Sequence, residues 1–171
     1  MKSKPPPARR SFYSNWDEIL YLYDKLLYWF YPLKDSGKSR HYADRLAKVL
    51  QKTPSSKGAI KGQECWSLVY EARKDLRKAI VYRQKEIRLI QRLHKVTTKK
   101  SIVGRAVLEG YGIAALSDRL DLLAILHHDS GDLSAAIRTL KKSRELCRKH
   151  RIPFDGKDLM ADYLAEMLAR H

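Results

Sequence analysis

The stretch Gln63 to Leu93, QECWSLVYEARKDLRKAIVYRQKEIRLIQRL, decides how the chain is read. Trp66, Tyr70 and Ala79 are spaced so that two short helices lie antiparallel, with the aromatic rings of the first on the small residue of the second. That is a helical hairpin. Its second helix is expected to run from Asp75 past Leu93, with Leu76, Ala79, Ile80, Ile87 and Ile90 on one face. Lys74, Lys78, Lys85, Arg88, Arg92, Lys95 and Lys99 then fall in a single stripe on the opposite face. Glu86 is the only acid between Asp75 and Lys100.

A second copy follows at Leu123 to Leu146, LAILHHDSGDLSAAIRTLKKSREL. Aligning Ala136 with Ala79 places Ala124 on Ser67, His127 on Tyr70, Leu133 on Leu76, Leu140 on Arg83 and Ser143 on Glu86. Gly131 supplies the turn glycine where the first copy has Lys74. On Trp66, Ser67, Tyr70 and Ala79, and on the better-matching second copy, the chain resembles the tetratricopeptide repeat, a helix-turn-helix unit of about 34 residues. It departs from that pattern at His127, Arg83, Glu86 and Lys74. The two alanines are 57 positions apart, so about 23 residues are inserted between units of that length.

The resemblance implies an all-α, tetratricopeptide-like array of antiparallel hairpins, with units near 60–93 and 117–150 and an insertion near 94–116. It also implies that the first helix of each unit lines a groove for a protein partner. By position, that groove would present Lys61, Glu64, Leu68 and Glu71 from the first unit and Asp118, Asp121, Leu122, Ile125 and His128 from the second. The lysine and asparagine set with which some members of the family hold a peptide carboxylate is missing, which disfavours an adaptor for chaperone tails.

Length and composition agree with one ordered domain over 11–171: the chain has 171 residues, 44% hydrophobic and 32% charged. The net charge of +16 is the outlier. Residues 1–57 hold 12 basic and 5 acidic groups and residues 58–100 hold 12 and 4, so the excess is concentrated in the first hundred positions. Such a field attracts polyanions. Cys65 and Cys147 both fall inside helical patterns, which points to reduced, buried thiols rather than a disulfide framework. The basic, proline-rich start, residues 1–10, reads as a flexible tail without a signal-peptide core, and a cytoplasmic location is the default expectation.

From Ser14, an N-cap with Asp17 three residues on, an aromatic helix is expected to run to a stop at Pro32. Between Ile19 and Tyr31 only Asp24 and Lys25 are polar, so burial on several sides is expected. Thirteen such residues are too few to span a bilayer, which takes about 20. A further helix is expected over RHYADRLAKVL, residues 40–50. A short extra piece is expected around Ile102 to Leu108, and a capping helix near 157–170, Lys157 to Ala169, would close the array.

No catalytic constellation stands out, and no cofactor is implied. Adjacent His127 and His128 point about 100° apart on a helix and have no third ligand at a useful spacing, so with Asp129 they read as a repeat position and its neighbours rather than a metal site. Lys99, Lys100, Ser101 and Gly104 share only composition with a phosphate loop. The preferred reading is a non-enzymatic scaffold with a groove for a protein segment and a basic outer surface. The alternative is a nucleic-acid-binding accessory subunit whose basic stripe contacts phosphates without reading sequence, since no aromatic residues are interleaved on that stripe. Attachment to a membrane surface through the aromatic helix ranks below both.

Overall fold

A computed structural model describes residues 14–96 and 111–152. Within them 84% of residues are helical and there is no strand. The order is α1 (Asn15–Phe30), α2 (Ser36–Gln51), a short 3₁₀ turn (Pro54–Lys57), α3 (Ile60–Ala72), α4 (Leu76–Val96), α5 (Ile113–Asp129) and α6 (Leu133–His150). Each helix packs on the next, and α1 also reaches α3, so the molecule is an all-α array of three antiparallel hairpins. Two hairpins were expected. The third is made by α1 and α2, which the sequence suggested only as separate helices.

All three turns end on the same pair of features, a left-handed residue and then a capping aspartate. Lys34, Lys74 and Gly131 have φ of 48°, 63° and 85°, the left-handed conformation that ends a helix and reverses the chain. An aspartate follows each of them. Asp35, Asp75 and Asp132 accept hydrogen bonds from the backbone N–H groups of Lys38, Lys78 and Ala135, capping the second helix of each hairpin. The backbone closure of the second and third turns matches position by position: Lys74 N–H donates to Glu71 O and Asp75 N–H to Tyr70 O, as Gly131 N–H does to His128 O and Asp132 N–H to His127 O. The first connection, residues 31–35, is two residues longer than 73–75 and 130–132, and its closing bond, from Asp35 N–H to Trp29 O, spans one residue more.

Counting from each aspartate recovers the repeat register. Four residues on lie Ser39, Ala79 and Ala136, all buried and small enough to admit the facing helix. Eight on lie Ala43, Arg83 and Leu140, and eleven on lie Leu46, Glu86 and Ser143, all of them buried. Ser67 Oγ donates to Ala79 O at 3.0 Å across the second hairpin. Ala124, Ala136 and Leu140 form the equivalent contact in the third.

The aromatic α1 is capped by Ser14 as expected, with Asp17 N–H donating to Ser14 Oγ. It buries Ile19, Leu22, Tyr23 and Leu26 against α2 and α3. Its other side stays open, with Leu20 44% and Tyr28 53% exposed. The expectation of burial on several sides is corrected for a geometric reason: the described array covers α1 from one side only. The 3₁₀ turn lies directly on α3, because a side chain on Gly62 would meet Ser56 O at 1.9 Å. Of the expected insertion near 94–116, residues 94–96 belong to α4 and 113–116 to α5, and 97–110 lie outside the described residues. The expected tail at 1–10, the extra piece at Ile102 to Leu108, Lys99 to Gly104 and the capping helix at 157–170 lie outside the described residues.

Candidate functional site

At the turn end of the array the first helices of all three hairpins converge on a cleft of about 460 Å³. Phe30, Tyr31, Lys34, Ser36 and Ser39 line it from the first hairpin, Glu71, Ala72 and Lys74 from the second, and Ile125 and Asp129 from the third. The repeated turn geometry brings these residues together, since Lys34 and Lys74 are the left-handed residues of their hairpins. The ammonium of Lys74 lies 5.7 Å from the centroid of the Phe30 ring. The Tyr31 hydroxyl donates to Glu71 at 3.1 Å. Burial pushes the Glu71 carboxyl above the ordinary carboxylate range, against the opposing pull of Arg83 and the Tyr31 hydroxyl. The cleft therefore combines apolar walls with two lysines and two acidic residues.

Between the hairpins runs a buried chain of charged groups. Tyr23 on α1 donates to Glu64 on α3 at 2.6 Å. Arg119 on α5 bridges Glu64 at 3.2 Å and Glu86 on α4 at 2.9 Å. Arg83 pairs with Glu86 at 2.6 Å, the two being 3% and 0% exposed at their side chains. Burial would raise Glu64, but Lys61, the Tyr23 hydroxyl and Arg119 outweigh it and hold its carboxyl below the ordinary range. Glu86 is shifted upward, chiefly by burial and then by the nearby Glu64, with Arg83 and Arg119 acting against the shift. The two departures at Arg83 and Glu86 thus form an ion pair where the flanking hairpins carry Ala43 with Leu46 and Leu140 with Ser143.

The groove residues expected from the resemblance are only partly assembled. Glu71 and Ile125 line the cleft. Glu64 and Leu68 are corrected to buried positions at 7% and 2% exposure, because α1 lies over α3 where open surface was expected. Lys61 is tied down between Glu64 at 3.0 Å and the Tyr23 ring at 3.5 Å. Asp118 is exposed, while Asp121, Leu122 and His128 are half-buried, His128 against Asp129 at 3.2 Å. Arg119, Tyr23 and the five lining residues of the first hairpin gain their places through contacts between helices, which helical periodicity does not mark. The Lys-Asp pairs at 34 and 74, echoed by Gly-Asp at 131, are the signal that would have revealed the first hairpin.

Of the basic stripe, Lys74, Lys78, Lys85, Arg88, Arg92 and Lys95 are all exposed, and Lys99 lies outside the described residues. The expectation that no aromatic ring interrupts it is corrected. Tyr82 is half-exposed on the same helix, its ring stacked on Tyr70 at 5.3 Å, with the Lys85 ammonium 4.6 Å from its centroid.

Among the described residues no cluster of three or more His, Cys, Asp and Glu side chains could hold a metal ion, and no helix is long and apolar enough to cross a membrane. Burial raises the Cys65 thiol to about 12, so it stays protonated at neutral pH. Comparison with known families, with characterised proteins and with solved structures found no match.

Proposed function

We propose that this chain is a non-enzymatic interaction module, a tetratricopeptide-type scaffold that works in the cytoplasm and receives a segment of another protein in the cleft at its turn end. The observation that carries the reading is the convergence of three first helices on one cleft with apolar walls and both signs of charge at its lining. The turns add support. A lysine at positive φ costs about 1 to 2 kcal/mol of backbone energy that a glycine would avoid. Lys34 and Lys74 both occupy such positions, and both line this cleft. Arg83, Glu86, Arg119 and Glu64 belong to the framework beneath it, where paired charges fix the hairpins rather than perform chemistry.

The test is site-directed photo-crosslinking in cells, with a photoreactive residue at Lys74 on the cleft or at Lys141, exposed on α6. A discrete protein adduct that survives nuclease and forms from position 74 alone is the expected result. Adducts equal at both positions, or absent from both, would remove the cleft as the working site.

A further inference from the structure

A second site lies away from that cleft, on α4 and the 3₁₀ turn. Lys57, Lys85, Arg88 and Arg92 surround a recess of about 300 Å³ whose remaining lining is Gly58, Gln63 and Leu89. No carboxylate lines it, and among the described residues none of the four cations has an acidic partner. The wall opposite α4 is fixed by backbone. Gly62 lets Ser56 lie against α3, and Gln63 Nε2 donates to Lys57 O at 2.6 Å, which holds the turn beside the helix. At one edge of the recess Lys85 reaches over the Tyr82 ring, which in turn stacks on Tyr70 at an interplanar angle of 20°.

We propose that this recess binds a single strand of nucleic acid, with backbone phosphates on Lys57, Lys85, Arg88 and Arg92 and a base on the Tyr82 ring in place of the Lys85 ammonium. Cations alone would suit any polyanion. The Tyr82 ring, outside the lining but under the Lys85 ammonium, selects for a chain that alternates anionic groups with flat, unstacked π-faces, the pairing by which single strands are held without sequence reading. A duplex keeps its bases stacked on one another and would engage only the cations. An acidic protein surface supplies carboxylates without the regular planar partner.

The experiment measures fluorescence anisotropy of labelled oligo-uridine and oligo-thymidine of about 12 nucleotides, within the usual site sizes, from about 50 to 200 mM salt. A duplex of the same length and a heparin fragment compete in parallel. Full-length protein is expected to prefer either single strand over the duplex, with a log-log salt slope near −2.8, about −0.7 for each of four phosphates. Preference for uridine or thymidine identifies RNA or DNA as the source. Replacing Lys85, Arg88 and Arg92 together with glutamine should reduce the slope to about −0.7. Tyr82→Ala should weaken single-strand binding by about 5- to 150-fold, the effect of losing one base stack, while leaving the slope and heparin competition unchanged. Tyr82→Leu takes its place if circular dichroism shows that the alanine variant unfolds. Equal affinity for duplex and single strand, competition by heparin alone, or indifference to both the triple and the tyrosine substitutions would each overturn the proposal.

Discussion

Arg119 on α5 meets Glu86 on α4 at 2.9 Å, and Glu86 itself is fully buried. The third hairpin therefore helps compensate a charge buried in the second. Arg83 meets the same carboxylate from its own helix at 2.6 Å. Removing one member of a buried pair leaves an uncompensated charge, whereas replacing the pair with neutral groups of suitable shape is far less costly.

A double-mutant cycle checks this. Glu86→Ser alone leaves Arg83 buried without its carboxylate and should destabilise by about 3 to 5 kcal/mol, while Arg83→Leu alone should cost less because Arg119 still meets Glu86 at 2.9 Å. The double variant carries the residues found at the matching positions of the third hairpin, Leu140 and Ser143, and should lose less than Glu86→Ser alone. Urea unfolding measures all four proteins. Additive losses would mean that the two side chains are not energetically coupled.

Two carboxylates should respond to pH in opposite senses. Glu64 titrates below its unfolded value of about 4.3, so its contribution is complete above that pH and is lost as pH falls through the lower folded value. Glu71 titrates above its unfolded value, so its ionisation opposes folding at neutral pH and relief comes as pH falls through the raised folded value. Glu64→Gln should make the loss of melting temperature below about pH 4 shallower than in the parent. Glu71→Gln should flatten the profile between neutrality and about pH 4 and leave the acid limb alone. Profiles changed in the same sense by both variants would contradict the assignment.

Lys74→Gly should stabilise the protein, because the backbone at φ 63° suits glycine and the hydrogen bond from this residue's N–H to Glu71 O needs no side chain. A gain of up to about 1 kcal/mol, or roughly 2 to 4 °C in melting temperature, is expected. The same variant removes an ammonium from the cleft, so it should also weaken the crosslinked partner. Calorimetry showing a lower melting temperature would refute the strain argument.

Gly62→Ala should act in the other direction. Its new methyl would face the backbone of Ser56, which has no flexible side-chain end to move aside. A loss of at least about 1 to 3 kcal/mol is expected, the usual range for overpacking. Displacement of Lys57 from the α4 cations should accompany it, seen as weaker single-strand binding in any folded fraction. Unchanged melting would show that the turn does not rest on α3.

How much of this was legible in the chain depends on what each signal records. The hairpins at Trp66 to Ala79 and Ala124 to Ala136 were readable because small and large residues alternate there at helical spacing. The first hairpin was not, since Ser39 replaces alanine, the turn is two residues longer and the distance from Asp35 to Asp75 is 40 positions where that from Asp75 to Asp132 is 57. Helical periodicity also reports which face is polar without saying what lies above it. Glu64 looks like a surface acid until α1 is placed over it, and Arg119 looks like a solvated cation until Glu86 is found beneath it. The stripe on α4 was visible as charge, but Tyr82 had to be placed on Tyr70 before its ring could be assigned to the same surface.

The register counted from Asp35, Asp75 and Asp132 makes the hairpins alike in build, and arrays of like units that touch only their neighbours tend to come apart one unit at a time. The run from Tyr23 through Glu64 and Arg119 to Glu86 and Arg83 draws on all three hairpins at once. Losing either end hairpin would strand a buried charge or hydroxyl partner in the middle one, so fraying from the ends is penalised. The three hairpins are therefore expected to melt as a single cooperative unit, with hydrogen-exchange protection levelled across them instead of falling away toward the outer two.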